Sequence, residues 1–392
     1  MRMVSGPQGP RVVLDGKPVL LLCSNNYLGL ADHPRVREAA ADAAMRWGVG
    51  AGASRLVSGT MTIHRRLEER LARFKGTEAA LLFGSGYLAN MGVVSALAGR
   101  GQVVFSDELN HASLVDGCRL SSAETFVYRH ADPEHLAWGL RQADGRGALI
   151  VTDSVFSMDG DVAPLTEIAE LARRHRVRVV VDEAHGTGCL GRGGRGAVAD
   201  AGLDGEIDVV VGTLGKALGS YGAFAACSQE LSQYLVNIAR PFIFSTAPPP
   251  PAAAAALAAL ELLEDAPERP ERLQANAGLL RDELAREGFE VAGSTTQIVP
   301  LIVGDGAQAM RICELAIEHG VFAQAIRPPT VPAGTSRLRL AVMASHGRAE
   351  LREAAQVLGR AALKAGFRPG EGGPVAAAAA RGRPFGVGRR AA

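Results

Sequence analysis

A chain of 392 residues with a formal net charge of +1, and no basic block beside aromatics, carries no electrostatic footprint for nucleic acid. With 47% hydrophobic and 21% charged residues it is globular and long enough for two or three structural domains. Five scattered cysteines (Cys23, Cys118, Cys189, Cys227, Cys313) contain no Cys-x-x-Cys pair, which argues against a metal site or a disulfide framework and for a reducing, cytoplasmic location.

The N-terminal stretch MRMVSGPQGPRVVLDG has no apolar signal core. From about Thr77 to Ala226 short apolar runs alternate with helical stretches. AALLF is followed by GSG and a helical stretch from Tyr87 to Leu97; VVFSD is followed by a helical stretch after Asn110. ALIVTDSVFS reads as a strand, LTEIAELARRH as an amphipathic helix, and VRVVVDEAH, IDVVVGT and YGAFAACS as further strands. Continuous apolar strands separated by helices indicate an α/β fold with a mainly parallel sheet buried on both faces. Polar residues gather where the runs end, at Ser157, at Asp182 to His185 and at Thr213. Ligands of open α/β sheets bind at that edge.

After Pro251 the pattern changes. PPPPAAAAALAALELL is broken by prolines and acids and is too short to span a bilayer, so no membrane association is expected. A helical segment to about Gly288 precedes QIVPLIVGD, a helix to His319, the segments VFAQAIRPPTVP and SRLRLAVMAS, and a last helix to Ala365. This predicts a smaller α+β domain over 251–365. Residues 366–392, rich in Gly, Ala, Arg and Pro without periodicity, predict a disordered tail.

The string DEAH at Asp182–His185 invites comparison with nucleotide-dependent helicases. Such enzymes need a G-x-x-x-x-G-K-[ST] loop to cradle phosphates. Gly16-Lys17 and Gly215-Lys216 are each followed by neither Ser nor Thr, and neither pair has the required preceding glycine. Downstream, GTLGKALGSYG presents Lys216 in a Gly-rich turn just past a strand, where its stem finds little to pack on. A positioned, partly desolvated lysine amine condenses with aldehydes. Pyridoxal phosphate needs a lysine, a carboxylate at its ring nitrogen and a phosphate cradle. Asp182 can be the carboxylate. In LLFGSGYLAN, the N–H groups of Ser85, Gly86 and Tyr87 at a helix start can receive the phosphate.

The segments SNNYLGL, GSGYLAN, DELNHASLVDG, SVFSMDGDVAPL, VDEAHGTGCLGRGGRG, GTLGKALGSYG and AIRPPTVPAGTSRLRL follow one another between Ser24 and Leu340. In these the chain resembles the α-oxoamine synthase family of pyridoxal-phosphate enzymes. The resemblance implies the aspartate-aminotransferase-type fold (fold type I). Residues 1–50 would join the small domain and the substrate entrance, and 51–250 would form the large cofactor-binding domain. It implies that Lys216 anchors the cofactor and later takes the Cα proton, that Asp182 pairs with the pyridine nitrogen and that His185 meets the phenolic oxygen. His111 would stack on the ring and meet the substrate. Gly86 and Tyr87 would line the phosphate end, with hydroxyls from Ser157 and Thr213. Ser245 and Thr246 would come from the partner subunit of a homodimer. Thr330 would lie near the acyl substrate, and Arg339 would hold the amino acid's carboxylate.

Arg337 and Arg339 alternate on one strand face. Arg337 fits a solvated face, and Arg339 read on its own also fits a structural ion pair. The implied reaction is a decarboxylative condensation of L-alanine with a pimeloyl thioester, delivered by CoA or acyl-carrier protein, as used in biotin synthesis. The alternatives are glycine C-acetyltransferase and, outside enzymes, a pyridoxal-phosphate-binding regulatory protein, against which His111 and Arg339 argue. Only Met1 to Ser5 precede GPQGPRVVLDG, where family members carry a longer helical segment. That leaves acyl-chain selection open.

Overall fold

A computed structural model describes residues 1–291 and 293–368. The chain opens with short strands β1 (Val4–Ser5), β2 (Arg11–Leu14) and β3 (Lys17–Leu21). β2 and β3 pair antiparallel across Asp15-Gly16, both at positive φ (48° and 83°), as a two-residue hairpin turn requires. Helices α1 (Pro34–Trp47) and α2 (Thr62–Lys75) follow.

The alternating region then forms β4 (Ala79–Phe83), α3 (Gly86–Leu97), β5 (Val103–Asp107), α4 (Ala112–Ser121), β6 (Glu124–Tyr128) and α5 (Pro133–Gln142). It continues as β7 (Gly147–Asp153), α6 (Leu165–His175), β8 (Arg178–Asp182), α7 (Ala197–Asp200), β9 (Val209–Thr213) and β10 (Ala223–Cys227). Seven strands make one sheet in the order β4-β10-β9-β8-β7-β5-β6, and β10 alone runs against its neighbours. The apolar runs are continuous because both faces are covered. Leu149, Val151, Val180 and Val211 enter the core on one face, and Ile150, Val179, Val181 and Val210 the core on the other. Each such buried side chain contributes roughly 1.5–3 kcal/mol.

Helices α8 (Gln229–Ile238), α9 (Arg240–Ile243), α10 (Pro250–Asp265) and α11 (Glu268–Arg286) come next. The helical segment expected to reach Gly288 without interruption breaks between α10 and α11. Ala266 precedes Pro267, leaves helical geometry (φ −132°, ψ 68°) and so ends α10. Ala256, Leu260 and Leu263 of α10 share a core with Leu67 and Phe224, whereas Ala277, Leu280 and Leu284 of α11 belong to the core of the C-terminal strands. We propose that the boundary between large and small domains lies at this break.

The remaining elements are β11 (Ile298–Gly304), α12 (Gly306–Glu318), β12 (Val321–Phe322), β13 (Gln324–Ile326), β14 (Ser336–Ala341) and α13 (Arg348–Lys364). β14 lies between β11 and β13, and β12 joins β3 in parallel. The N-terminal strands therefore complete the C-terminal core, with Val12, Val19 and Leu21 packed beside Leu338 and Leu358. Packing continues past α13, since the Phe367 ring stacks on Phe289 at 6.4 Å. The expected disordered tail lies, from 369 on, outside the described residues. Among the described residues no helix is long and apolar enough to cross a membrane.

His346 ties the two ends of the chain together. Its Nδ1 accepts from Met343 N at 2.9 Å, and its Nε2–H donates to Leu21 O at 3.1 Å. The bond accepted at Nδ1 needs a neutral ring, and burial lowers its pKa to about 4. The unfolded chain takes up this proton near pH 6.5, above the folded value, so the stabilisation is present above 6.5 and lost as pH falls through about 4. Between those limits wild type should lose about 1.4 kcal/mol per pH unit from this residue, and His346→Gln should lack that component. Urea unfolding of both proteins across the window measures it; parallel pH profiles would refute the assignment.

Candidate active site

The site grows from the carboxyl edge of the large sheet. β7 ends at Asp153 and β8 at Asp182, and the two residues are direct partners in the parallel register. The strand expected to reach Ser157 stops at Asp153 because polar partners take over. Asp153 N–H donates to Asn110 Oδ1 (2.9 Å), its carboxylate accepts from His111 N–H (2.6 Å), and Ser154 N–H turns away to Asp182 O (2.8 Å). Burial, and then the neighbouring Asp182 charge, raise the Asp153 pKa well above the ordinary carboxylate value. Asp182 Oδ2 accepts from Asn90 Nδ2 at 2.5 Å and Oδ1 from Ala184 N–H at 2.7 Å.

The DEAH turn sends its side chains in different directions. Glu183 points back into the fold, where it is fully buried and pairs with Lys75. Its other oxygen accepts from Val198 N–H at 2.7 Å. The turn at Gly196 passes so close that a Cβ there would stand 1.9 Å from Glu183 Oε2, at a φ of 112° that few other residues adopt. His185 points the opposite way, its carbonyl held by Gln297 Nε2 at 2.9 Å.

His185 Nε2 faces Lys216 Nζ at 2.9 Å, and its Nδ1 faces Tyr27 Oη at 2.7 Å. Burial lowers the Lys216 pKa against the pull of Asp182 and Asp153. Burial, then Lys216 and Arg339, push His185 well below its usual value, so the imidazole is neutral. Burial pushes the Tyr27 phenol up to about 12. From β14, Arg339 donates through Nε to Ser157 O (2.5 Å), through Nη2 to Tyr27 Oη (3.3 Å) and through both Nη atoms to Asn25 Oδ1 (3.4 Å). Arg337, expected on a solvated face, is instead 4% exposed and ion-paired with Asp159. β14 is the central strand of its sheet, so this face covers the 157–159 turn.

Lys216, Asp182, His185, Arg339 and, through Asp153, His111 thus converge. His111 caps α4, accepts at its side chain from Ser113 N–H, and lies edge-on to Tyr87 with centroids 6.4 Å apart. Gly86 and Tyr87 form the first turn of α3, whose leading N–H groups have no acceptor within the helix. Thr213 ends β9 beside Gly86; its hydroxyl donates to Gly222 O and accepts from Gly215 N–H, both at 3.2 Å. Ser157 contributes its carbonyl, as above. Ser245 and Thr246 lie on the loop between α9 and α10, where Thr246 pairs with Ser54. Thr330 sits in an exposed turn, its N–H on Arg327 O at 3.1 Å. Among the described residues, no hydrogen bond links Ser245, Thr246 or Thr330 to the lysine. Sequence reasoning missed Asn25, Tyr27, Asn90, Asp153 and Gln297. The first three lie in SNNYLGL and GSGYLAN, where polar residues among apolar ones gave the only signal.

The family model "Aminotransferase class I and II" matches residues 17–358. An 8-amino-7-oxononanoate synthase of Citrifermentans bemidjiense is 54% identical over 93% of this chain and 95% of its own. That of Geobacter metallireducens is 55% identical over 91% and 92%. Among solved structures, the Sphingomonas wittichii serine palmitoyltransferase has a TM-score of 0.90 at 32% identity, covering 93% of this chain and 92% of that one. A structure described as SPT with PLP has the same TM-score at 35% identity, covering 93% of both chains. The 8-amino-7-oxononanoate synthase of Francisella tularensis has a TM-score of 0.76 at 26% identity, covering 88% and 98%.

The buried Lys75–Glu183 pair locks the turn that carries Asp182 and His185. Lys75→Met leaves a carboxylate buried without its partner and should cost about 3–5 kcal/mol, whereas Lys75→Met with Glu183→Leu should recover most of that. Denaturant unfolding of the single and double variants decides it. A single-variant loss below about 1 kcal/mol would mean that the pair is not dry.

Proposed function

The chain belongs to the class I and II aminotransferase family, and from that premise we propose that it is a pyridoxal-phosphate enzyme making 8-amino-7-oxononanoate. It does so by condensing L-alanine with a pimeloyl thioester, releasing CO2 and free thiol. The observation that carries this reading is the convergence of an amine of lowered pKa, Lys216, with a buried carboxylate, Asp182, and a guanidinium, Arg339. Two relatives named for this activity are 54–55% identical across most of the chain, against 35% for the serine palmitoyltransferase structure and 26% for the Francisella tularensis synthase structure.

The residues fit the cofactor. A Cβ on Gly86 would meet nothing closer than Thr213 Cβ at 4.0 Å, so the first turn of α3 is open to a phosphate group. Asn90 Oδ1 beside Asp182 is buried and, among the described residues, receives no hydrogen bond. When bound, pyridoxal phosphate supplies an electron sink for a carbanion at the amino acid's Cα.

This chain's own groups do the rest. Lys216 anchors the cofactor and moves the Cα proton; burial lowers its pKa, which favours the free amine that acts as base. Asp182 sets a negative charge at the ring nitrogen and favours its protonated form. Asn90 and Ala184 N–H keep that carboxylate aimed. His185 offers a neutral N–H, and His111 covers the ring. Gly86, Tyr87, Ser157 and Thr213 border the cofactor. Arg339 holds the alanine carboxylate with N–H groups not committed to Ser157. Thr330, stiffened by Pro328, Pro329 and Pro332, meets the acyl chain.

The enzyme acts as a homodimer in which Ser245 and Thr246 complete the neighbour's phosphate site. Supporting this, Val49, Val57 and Phe244 expose 80%, 80% and 69% of their surface. Cytoplasmic action suits five free thiols.

Asp182→Asn keeps the shape and removes the charge. Cofactor should stay partly bound while turnover falls on the order of a hundredfold or more; turnover within a factor of two of wild type would refute the role. For the substrate, kcat/KM for alanine with pimeloyl-CoA should exceed that for glycine with acetyl-CoA. The methyl group alone is worth roughly 10- to 200-fold. A higher value for the glycine–acetyl pair would make the enzyme a glycine C-acetyltransferase.

A further inference from the structure

We propose that Tyr27 is a positioning residue that fixes His185 in its Nε2–H tautomer, so that Lys216 faces a hydrogen-bond donor and is held as a free amine. The argument counts protons. A guanidinium can only donate, so the Tyr27 oxygen 3.3 Å from Arg339 Nη2 accepts. The phenol has one proton and two acceptors in reach, Asn25 Oδ1 at 2.9 Å and His185 Nδ1 at 2.7 Å. Asn25 Oδ1 already faces two Arg339 N–H groups at 3.4 Å. Nδ1, on a ring 4% exposed, has Tyr27 alone among the described residues. Giving the proton to Nδ1 follows the shorter contact and supplies a buried ring nitrogen that has no other donor, although the nearby Gln297 Oε1 stays without a partner.

A neutral imidazole that accepts at Nδ1 carries its hydrogen on Nε2, and Nε2 lies 2.9 Å from Lys216 Nζ. Arg339, Tyr27 and His185 then all donate in one direction, towards the lysine. Aligned bonds of this kind polarise one another in a low-dielectric interior. An ammonium has no lone pair to receive the last of them, so the chain selects the amine.

The charged and titratable groups around it are few. Asp182, Asp153, Arg339 and Cys189 act on Lys216; Arg339, Lys216 and His111 act on His185; Arg339 and Cys189 act on Tyr27. The two carboxylates favour the ammonium. Burial outweighs them, and the direction at Lys216 is down, as the donor chain requires.

The inference rests on the reading of Lys216 as the cofactor-anchoring lysine, because a free amine is the form that attacks an aldehyde; the tautomer itself can be tested apart from that reading. In the full-length, cofactor-free protein labelled with 15N-histidine, the His185 signals, identified by their loss in His185→Asn, should show the proton on Nε2. A proton on Nδ1 would overturn the proposal. In Tyr27→Phe, the pH midpoint for capture of pyridoxal phosphate, followed by absorbance, should move up by about one unit, a tenfold change in free amine at a given pH. An unmoved midpoint in a folded Tyr27→Phe protein would also overturn it. Should that variant fail to fold, the wild-type tautomer decides. A wild type with Nε2–H that captures no cofactor would sink the anchoring role of Lys216 and leave the tautomer assignment standing.

Discussion

The pairing of Glu183 with Lys75 in a dry interior is the constraint on which the site depends. A carboxylate and an ammonium, 0% and 3% exposed, tolerate burial only together, and their bond ties the turn after β8 to the end of α2. With Glu183 fixed, its neighbours in sequence have no freedom. Asp182 must lie along the strand edge beside Asp153, and His185 must emerge on the opposite side of the turn towards Lys216. One buried salt link thus sets the direction of two functional groups that never touch it.

A second brace runs through the 156–161 turn. His130 sits between Asp107 and Asp161, at 3.0 and 2.8 Å, and although burial opposes its charge, these carboxylates raise its pKa to about 10. It is therefore a cation at neutral pH and pins the turn to the end of β5. Arg337 pins the same turn through Asp159, and Thr296 Oγ1 donates to Gly160 O at 2.8 Å. Between these anchors lies Ser157, whose carbonyl takes Arg339 Nε. The guanidinium is oriented by a main-chain atom that the surrounding ion pairs keep still.

The large sheet was legible because its strands are unbroken Val, Ile and Leu runs that nothing but a doubly covered sheet accommodates. That Lys216 and Asp182 would meet was legible because a lysine among glycines and an acid at a strand end have little structural use. The N-terminal hairpin was missed although Asp15-Gly16 between apolar residues is a strong hairpin signal; β2 and β3 are simply short. Tyr27 and Asn90 were hidden for another reason. Their roles come from contacts 158 and 92 residues away in sequence, which no local pattern encodes. Arg337 was misread because alternation shows that two residues share a face without showing what covers it.

The clasp of Arg339 on Asn25 joins positions 314 apart. A ribosome delivers Tyr27, His185 and Lys216 long before it delivers β14, and β14 must then insert between β11 and β13 before the guanidinium reaches them. Closure over such a span is slow compared with local pairing. Assembly of the reactive pocket is thus timed by the last quarter of synthesis, and a chain cut short before Arg339 has a lysine and a carboxylate but lacks the guanidinium proposed to receive a substrate's own carboxylate.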